Sequence, residues 1–167
     1  MPGLTTTERI SMQIFIDADA FPNVIKDILI RASTRLKVPL VFVANKPLKV
    51  EDAVHISVIL VPAGPDVADH CIAELVRAGD LVITADVPLA DRVVSRGAFA
   101  LNPRGKLYTE ENIKDSLAMR GLMNELRDSG VITGGPAIFS KKDRQAFANV
   151  LDSFLTRQLK KENSPPE

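Results

Sequence analysis

The chain lacks the residues on which several classes of protein depend. It has one cysteine, Cys71, one tyrosine and no tryptophan in 167 residues, which rules out an internal disulfide and leaves few rings for stacking nucleic-acid bases. Its 21 basic and 21 acidic residues cancel, so nucleic-acid binding would require a local basic patch. The chain has no apolar run near the ~20 residues of a membrane span, and its first residues, MPGLTTTERIS, lack the apolar region expected of a secretory signal. We therefore expect a cytoplasmic protein that does not bind membranes.

What the chain does contain is an alternation of strand and helix patterns. Apolar strand patterns occupy residues 13–16, 39–45, 55–64, 80–86 and 98–102, and helical patterns occupy residues 22–36, 65–79 and 87–97. The strands are almost continuously apolar, which is typical of a sheet covered on both faces. This alternation predicts an α/β fold with a mainly parallel central sheet flanked by helices.

The ends of several helices carry recognisable signals. Pro22 suits the first turn of the first helix, and Gly79 is expected to end the second. Thr109 is a candidate cap for a later helix, and Ser140 with Asp143 forms a capping-box pattern before the last one. We expect residues 1–11 to be an extension, residues 12–158 one domain, with a Gly/Pro-rich loop at 129–140, and residues 159–167 a polar tail.

Acidic residues concentrate where the predicted strands end. Asp17 and Asp19 follow the first strand, Asp86 ends the fourth, and Asp69 lies one turn into the helix after the third. The carboxyl ends of parallel strands meet at one edge, where ligands bind. Gathered carboxylates repel one another unless a cation compensates, and Mg²⁺ and Mn²⁺ prefer such oxygen ligands. The pattern therefore predicts a divalent-metal site formed by Asp17, Asp19, Asp69 and Asp86.

Each acid also has a purely structural explanation, and these alternatives stay open. Asp86 and Asp66 each precede a helix and suit an N-cap. Asp69 complements the positive end of its helix, and Asp19 suits a turn. Asp17 is the hardest to explain in this way, because it follows directly from an apolar strand.

Other polar residues are weaker candidates. Asp91 lies in the first turn of the helix that follows Asp86. The NPRG motif places Asn102 and Arg104 at another strand end, where they are candidate substrate-binding residues; Arg104 either holds a phosphate or is a solvated turn residue. Thr84 either hydrogen-bonds near the acids or is an ordinary strand residue.

Five motifs, taken in order, give the chain a resemblance to a known family. They are DADAFP at 17–22, GPDVAD at 64–69, GDLVITADVPLA at 79–90, NPRG at 102–105 and GGP at 134–136. Over residues 12–157 the chain resembles the bacterial YaiI/YqxD family, also called domain of unknown function 188. It departs from that family at Phe21, where the family commonly has cysteine, and this argues against a catalytic thiol there.

The family in turn resembles PIN-like nuclease domains. The resemblance implies a three-layer α/β sandwich that binds Mg²⁺ or Mn²⁺ and cleaves RNA. By this resemblance, Asp17 corresponds to the acid after the first strand and Asp86 to the acid after the ITAD strand. Asp69 corresponds to the acid on the middle helix, and Asp91 to a downstream acid. The implied function is a metal-dependent ribonuclease in which these four aspartates are catalytic.

Two other functions remain open at this stage. The Asp17-x-Asp19 pattern also resembles phosphatases of the haloacid dehalogenase type, with Asp17 as nucleophile and Asp19 as acid/base. Against this, Pro22 begins a helix where those enzymes have a turn and a flap. The third hypothesis is a non-enzymatic nucleic-acid-binding or regulatory module with a PIN-like fold. The oligomeric state is also open, with a homodimer as one option.

Overall fold

The computed structural model describes residues 12–48, 54–131 and 139–163. The strands in these ranges are β1 (Ile14–Asp17), β2 (Leu40–Ala44), β3 (Ile56–Leu60), β4 (Leu81–Ile83), β5 (Phe99–Leu101) and β6 (Leu107–Tyr108). The helices are α1 (Asn23–Leu36), α2 (Val67–Leu75), α3 (Val87–Ser95), α4 (Ile113–Asp128) and α5 (Lys141–Asn163). Within the same ranges, every helix is too short or too polar to cross a lipid bilayer. The predicted extension 1–11, residues 132–138 of the predicted loop and residues 164–167 of the predicted tail lie outside the described residues.

The strands form a single sheet in the order β3-β2-β1-β4-β5-β6. The first five strands are parallel, as predicted, and the unpredicted two-residue strand β6 pairs antiparallel with β5. From central β1 the chain builds outward through β2 to β3, then crosses back to β4 on the other side of β1. Such a reversal of direction is a topological switch point, where open parallel sheets bind ligands beyond the strand ends.

Side chains of each strand alternate between two hydrophobic cores. In β1, Ile14 and Ile16 pack into a core with α1 and α5, whereas Phe15 packs into a second core with α2, α3 and the start of α4. All three are buried. The chain is therefore a three-layer α/β sandwich with a mainly parallel central sheet, which confirms the predicted class.

The start of α1 and the end of α2 differ from the predictions. Helix α1 has Pro22 at its N-cap rather than in its first turn. Helix α2 ends at Leu75 rather than near Gly79, because Val76 is extended, with ψ 144°, and buried. Burial of Val76 in the core thus outweighs the tendency of Gly79 to mark the end of the helix.

The predicted start of α4 is wrong, and the predicted start of α5 is confirmed. Helix α4 begins at Ile113, because Thr109 and Asn112 bond to each other's backbone N–H groups and form a separate turn first. Helix α5 begins with the predicted capping box: the Ser140 N–H donates to Asp143 Oδ2 at 3.0 Å, and the Asp143 N–H donates to Ser140 Oγ at 3.1 Å. Helix α5 then continues to Asn163, into the predicted tail.

Asp80 is a buried carboxylate that closes the turn before β4. Its side chain is buried, and it accepts backbone hydrogen bonds from Gln13 N–H through Oδ1 and from Arg77 N–H through Oδ2, both at 2.9 Å. We expect Asp80→Ala to lower the free energy of unfolding by about 2–3 kcal/mol, because two backbone donors lose a charged acceptor. Urea denaturation measures this loss. The exposed Asp27→Ala on α1 is the control, and a loss no larger than the control's would contradict the role of Asp80.

Candidate acidic site at the switch point

Asp17 is the last residue of β1 and the first acid at the switch point. Its Oδ1 accepts a hydrogen bond of 3.0 Å from the Asp19 N–H, so the side chain shapes the turn that follows the strand. Burial raises the pKa of Asp17; the hydrogen bond from the Asp19 N–H opposes this rise, and the charge of Asp19 adds to it. The carboxylate is thus half-buried and has a negative neighbour.

Asp19 connects the ends of the two neighbouring strands. Its Oδ2 accepts a hydrogen bond of 2.7 Å from the N–H of Asn45, the residue that follows β2. The side chain is otherwise exposed. Asp19 therefore has the structural role expected of a turn residue, and it also faces the cleft beside Asp17.

Asp86 caps α3 and is held by its neighbours. Its Oδ1 accepts a hydrogen bond of 2.9 Å from the Leu89 N–H, which is an N-cap interaction. Its own N–H donates to Thr84 Oγ1 at 2.9 Å. Thr84 lies one residue beyond the end of β4, is buried, and positions Asp86 rather than serving as an ordinary strand residue. The capping bond uses Oδ1 of Asp86 and leaves Oδ2 outside the cap.

Asp69 lies in the first turn of α2 and is the most perturbed acid of the site. Its pKa is raised to about 6, first by burial and then by the negative charges of Asp86, Asp17 and Asp66, while Arg92 opposes the rise. The Asp69 carboxylate has no hydrogen-bond or ion-pair partner among the described residues. Folding therefore places a half-buried carboxylate among other acids without giving its side chain a hydrogen-bond partner.

Asp66 occupies the N-cap position of α2 but does not act as a cap. Its side chain accepts no capping hydrogen bond, and its backbone is left-handed, with φ 61°. Aspartate tolerates this conformation better than most residues. Asp66 thus turns the chain into α2 and adds its charge to that of Asp69.

Two small clefts bring the acids together. One, of about 210 Å³, is lined by Asp17, Asp69 and Asp86 together with Thr84. The other, of about 190 Å³, joins Asp17 and Asp69 to Asp19, Asp66 and Asn45. The structure therefore places the acids of β1, α2 and the β4–α3 connection around one point.

The donor chemistry of this cluster fits a hard divalent cation, but its geometry is not a finished metal site. In the described part of the chain, no three Asp, Glu, His or Cys side chains are placed to hold one ion together. Mg²⁺ keeps several waters and is often held by one or two carboxylates plus substrate phosphate oxygens. The cluster can therefore supply part of such a coordination shell.

The remaining predicted site residues lie elsewhere. Asp91 is half-buried on α3 and lines neither of these clefts; its carbonyl accepts a hydrogen bond from Ser95 Oγ at 2.8 Å. The structure does not bring Asp91 into the cluster.

Asn102 and Arg104 shape the turn between β5 and β6 instead of facing the acids. Asn102 Oδ1 accepts hydrogen bonds from the backbone N–H groups of Arg104 at 2.9 Å and Lys106 at 3.0 Å. The Arg104 guanidinium pairs with Asp143 at the start of α5, at 2.5 Å. Both residues lie outside the linings of the two acidic clefts, so their substrate-binding role stays a prediction.

Three basic residues next to the acids were not predicted. His70, Arg92 and Arg120 line a larger cleft of about 720 Å³, which Asp69 and Asp86 also line. They come from α2, α3 and α4 respectively. His70 adjoins Asp69 in sequence, but Arg120 carries no sequence signal, because only the packing of α4 beside α3 brings it there.

Comparisons with known proteins cover nearly the whole chain. A family model described as "Uncharacterized BCR, YaiI/YqxD family" matches residues 15–157. A UPF0178 protein of Maridesulfovibrio salexigens is 56% identical over 148 residues, which are 89% of this chain and 98% of the relative. A UPF0178 protein of Janthinobacterium sp. (strain Marseille) is 57% identical over 150 residues, which are 90% of this chain and 99% of the relative. No solved structure matches the chain significantly.

Proposed function

Given that the chain belongs to the YaiI/YqxD family, as its motifs predicted, we propose that it is a divalent-metal-dependent nuclease that hydrolyses phosphodiester bonds in RNA. One observation carries this function: Asp17, Asp69 and Asp86 come from three separate elements and line a single cleft at the switch point. The likeness to PIN-like nucleases, inferred from the motifs, is an analogy that agrees with it.

The acids of this cleft are not fully explained by folding. Asp86 caps a helix and Asp17 supports a turn, but Asp69 has no such partner among the described residues. The raised pKa of Asp69 reflects burial and repulsion from its acidic neighbours. A carboxylate whose pKa is raised by burial and by acidic neighbours, and whose side chain has no partner in the fold, is typical of a functional site.

Asp17, Asp69 and Asp86 would supply part of the coordination shell of a divalent cation, and water and substrate oxygens would supply the rest. When bound, such an ion stabilises negative charge on a phosphate and lowers the pKa of a water molecule. The chain's own contribution is to orient the carboxylates. The Asp19 N–H fixes Asp17, and Thr84 with the Leu89 N–H fixes Asp86, each through hydrogen bonds of 2.9–3.0 Å.

Metal binding is the first test of this function. We expect titration calorimetry to show Mn²⁺ and Mg²⁺ binding to the parent protein, because the clustered negative charge attracts a hard cation. Binding should be lost in Asp17→Asn and in Asp69→Asn, which keep the side-chain size but remove the charge. Asp27→Asn, exposed on α1, should bind as the parent does.

The titration is repeated with a phosphorothioate oligoribonucleotide present, because substrate oxygens can complete a metal site. If the parent binds no metal at millimolar concentration in either condition, the nuclease function is wrong and a non-enzymatic module is favoured. Parallel assays on a phosphate monoester and a phosphate diester test the class of reaction. Hydrolysis of the monoester alone would favour the phosphatase hypothesis instead.

A further inference from the structure

The 720 Å³ cleft beside the acids contains charged side chains of both signs. His70, Arg92 and Arg120 line it together with Asp66, Asp69 and Asp86. The three basic residues come from three different helices, all on the same side of the sheet. Two guanidinium groups therefore face the same space as three carboxylates.

The arginines of this cleft form no ion pair with the neighbouring acids among the described residues, although the charge of Arg92 lowers the pKa of Asp69. Among the described residues, Arg120 has no hydrogen-bond or ion-pair partner, and Arg92 forms no ion pair. The hydrogen-bonding contact of Arg92 is a long one, 3.5 Å from Nη1 to His70 Nδ1. Arginines that served only to neutralise the acids would pair with them. The two guanidinium groups are thus available to an anion, and their planar donors suit phosphate oxygens.

The position of the cleft indicates which phosphate of a nucleic acid the arginines would bind. Asp69 and Asp86 line both this cleft and the 210 Å³ acidic cleft, so the two clefts are adjacent. A strand whose scissile phosphate lies at the acids would place a neighbouring nucleotide in the larger cleft. The apolar side chains of Pro65, Pro88 and Leu89 line that cleft too and offer a surface for a sugar or base.

The size and charge of the cleft favour a short single strand over a duplex. Clefts of ~300–1,000 Å³ hold small ligands, and 720 Å³ falls in that range. Duplex binding relies on neutralising many phosphates over a wide surface. The two arginines and one histidine of this cleft are enough to contact the phosphates of only one or two nucleotides.

We propose that Arg92 and Arg120 form a subsite for a second phosphate, next to the scissile one, of a single-stranded oligonucleotide. This rests on the proposed function for the identity of the scissile phosphate. The subsite itself can be tested without any hydrolysis.

The test is equilibrium binding of fluorescein-labelled tetrauridylate, followed by fluorescence anisotropy in a buffer containing EDTA, where metal-dependent cleavage cannot occur. We expect Arg92→Gln and Arg120→Gln each to weaken binding about five- to tenfold, because each removes charge-assisted hydrogen bonds to phosphate. The control variants Arg96→Gln and Arg127→Gln, exposed at the ends of α3 and α4, should bind as the parent does. Thermal melting checks that all four variants are folded.

The outcomes separate the subsite from the nuclease function. Unchanged binding in Arg92→Gln and Arg120→Gln would overturn the subsite even if the protein binds Mn²⁺ and cleaves RNA. Weakened binding in a protein that binds no metal would support the subsite while the nuclease function fails. The loss is expected equally for tetrathymidylate, since the contacts are to phosphate; a loss confined to the ribose strand would overturn the phosphate assignment.

Discussion

Asp17→Asn is expected to slow phosphodiester hydrolysis by about 100-fold or more, because a bound cation contributes several kcal/mol of charge stabilisation and each 1.4 kcal/mol is a factor of ten. Asparagine keeps an oxygen that can accept the 3.0 Å hydrogen bond from the Asp19 N–H, so the turn after β1 should survive. The substitution removes only the negative charge. Single-turnover cleavage of a fluorogenic oligoribonucleotide in Mn²⁺ measures the effect.

The control for this experiment is Asp27→Asn, which makes the same chemical change at an exposed position of α1. It should cleave RNA at the parent rate. Circular-dichroism melting should show that both variants are folded. If folded Asp17→Asn retains the activity of the parent, Asp17 is a turn residue and the metal lies elsewhere.

Asp69→Asn is expected to stabilise the protein near neutral pH by about 1 kcal/mol, after the effect of a pKa shift is reduced for partial solvent exposure. The pKa of Asp69 is raised from 3.8 to about 6, first by burial and then by Asp86, Asp17 and Asp66. The folded state therefore binds the Asp69 proton more tightly than the unfolded state does. Stability is lost as the pH rises from about 4 through 6, when this carboxyl ionises. Asparagine, which does not ionise, avoids that loss.

Urea denaturation at several pH values measures this difference. Asp69→Asn and the parent should have similar free energies of unfolding near pH 4, and the variant should be the more stable one above about pH 6. Asp27→Asn should follow the parent throughout. Adding Mn²⁺ should stabilise the parent by mass action and reduce the advantage of the variant. A less stable Asp69→Asn at neutral pH would show that Asp69 supports the fold after all.

Much of the architecture was predictable because its signals are local or follow a general rule. Strands such as β1 and β2 are continuous apolar runs, and parallel strands bring their carboxyl ends to one edge. That rule alone placed Asp17 and Asp86 together. The ends of α2 and α4 were not predictable, because burial of Val76 and the reciprocal bonds of Thr109 and Asn112 depend on tertiary structure.

The sequence and the structure also differ on which acid lacks a structural role. From the sequence, Asp17 had the weakest structural explanation, yet its Oδ1 supports an ordinary turn. Asp69 suited the positive end of a helix, yet among the described residues it has no bonding partner. Whether a carboxylate is satisfied depends on distances between elements, which local spacing does not reveal.

The NPRG motif shows a similar limit. Its asparagine and arginine suggested a ligand, but Asn102 closes its own turn and Arg104 pairs with Asp143, 39 residues further along the chain. Arg120, which does line a cleft with the acids, has no motif around it. Partners so distant in sequence are set by how α4 and α5 pack.

The capping bond of Asp86 affects which residues remain at this position in relatives without the proposed activity. A relative without the proposed nuclease activity would still need a capping residue before α3, so selection for folding alone would keep aspartate, asparagine, serine or threonine at position 86. Among the described residues, the carboxylate at position 69 makes no hydrogen bond, and replacing it when ionised relieves repulsion. Drift should therefore remove the acid at position 69 first. Among members of the family, an aspartate at position 69 is a better marker of a working site than one at position 86.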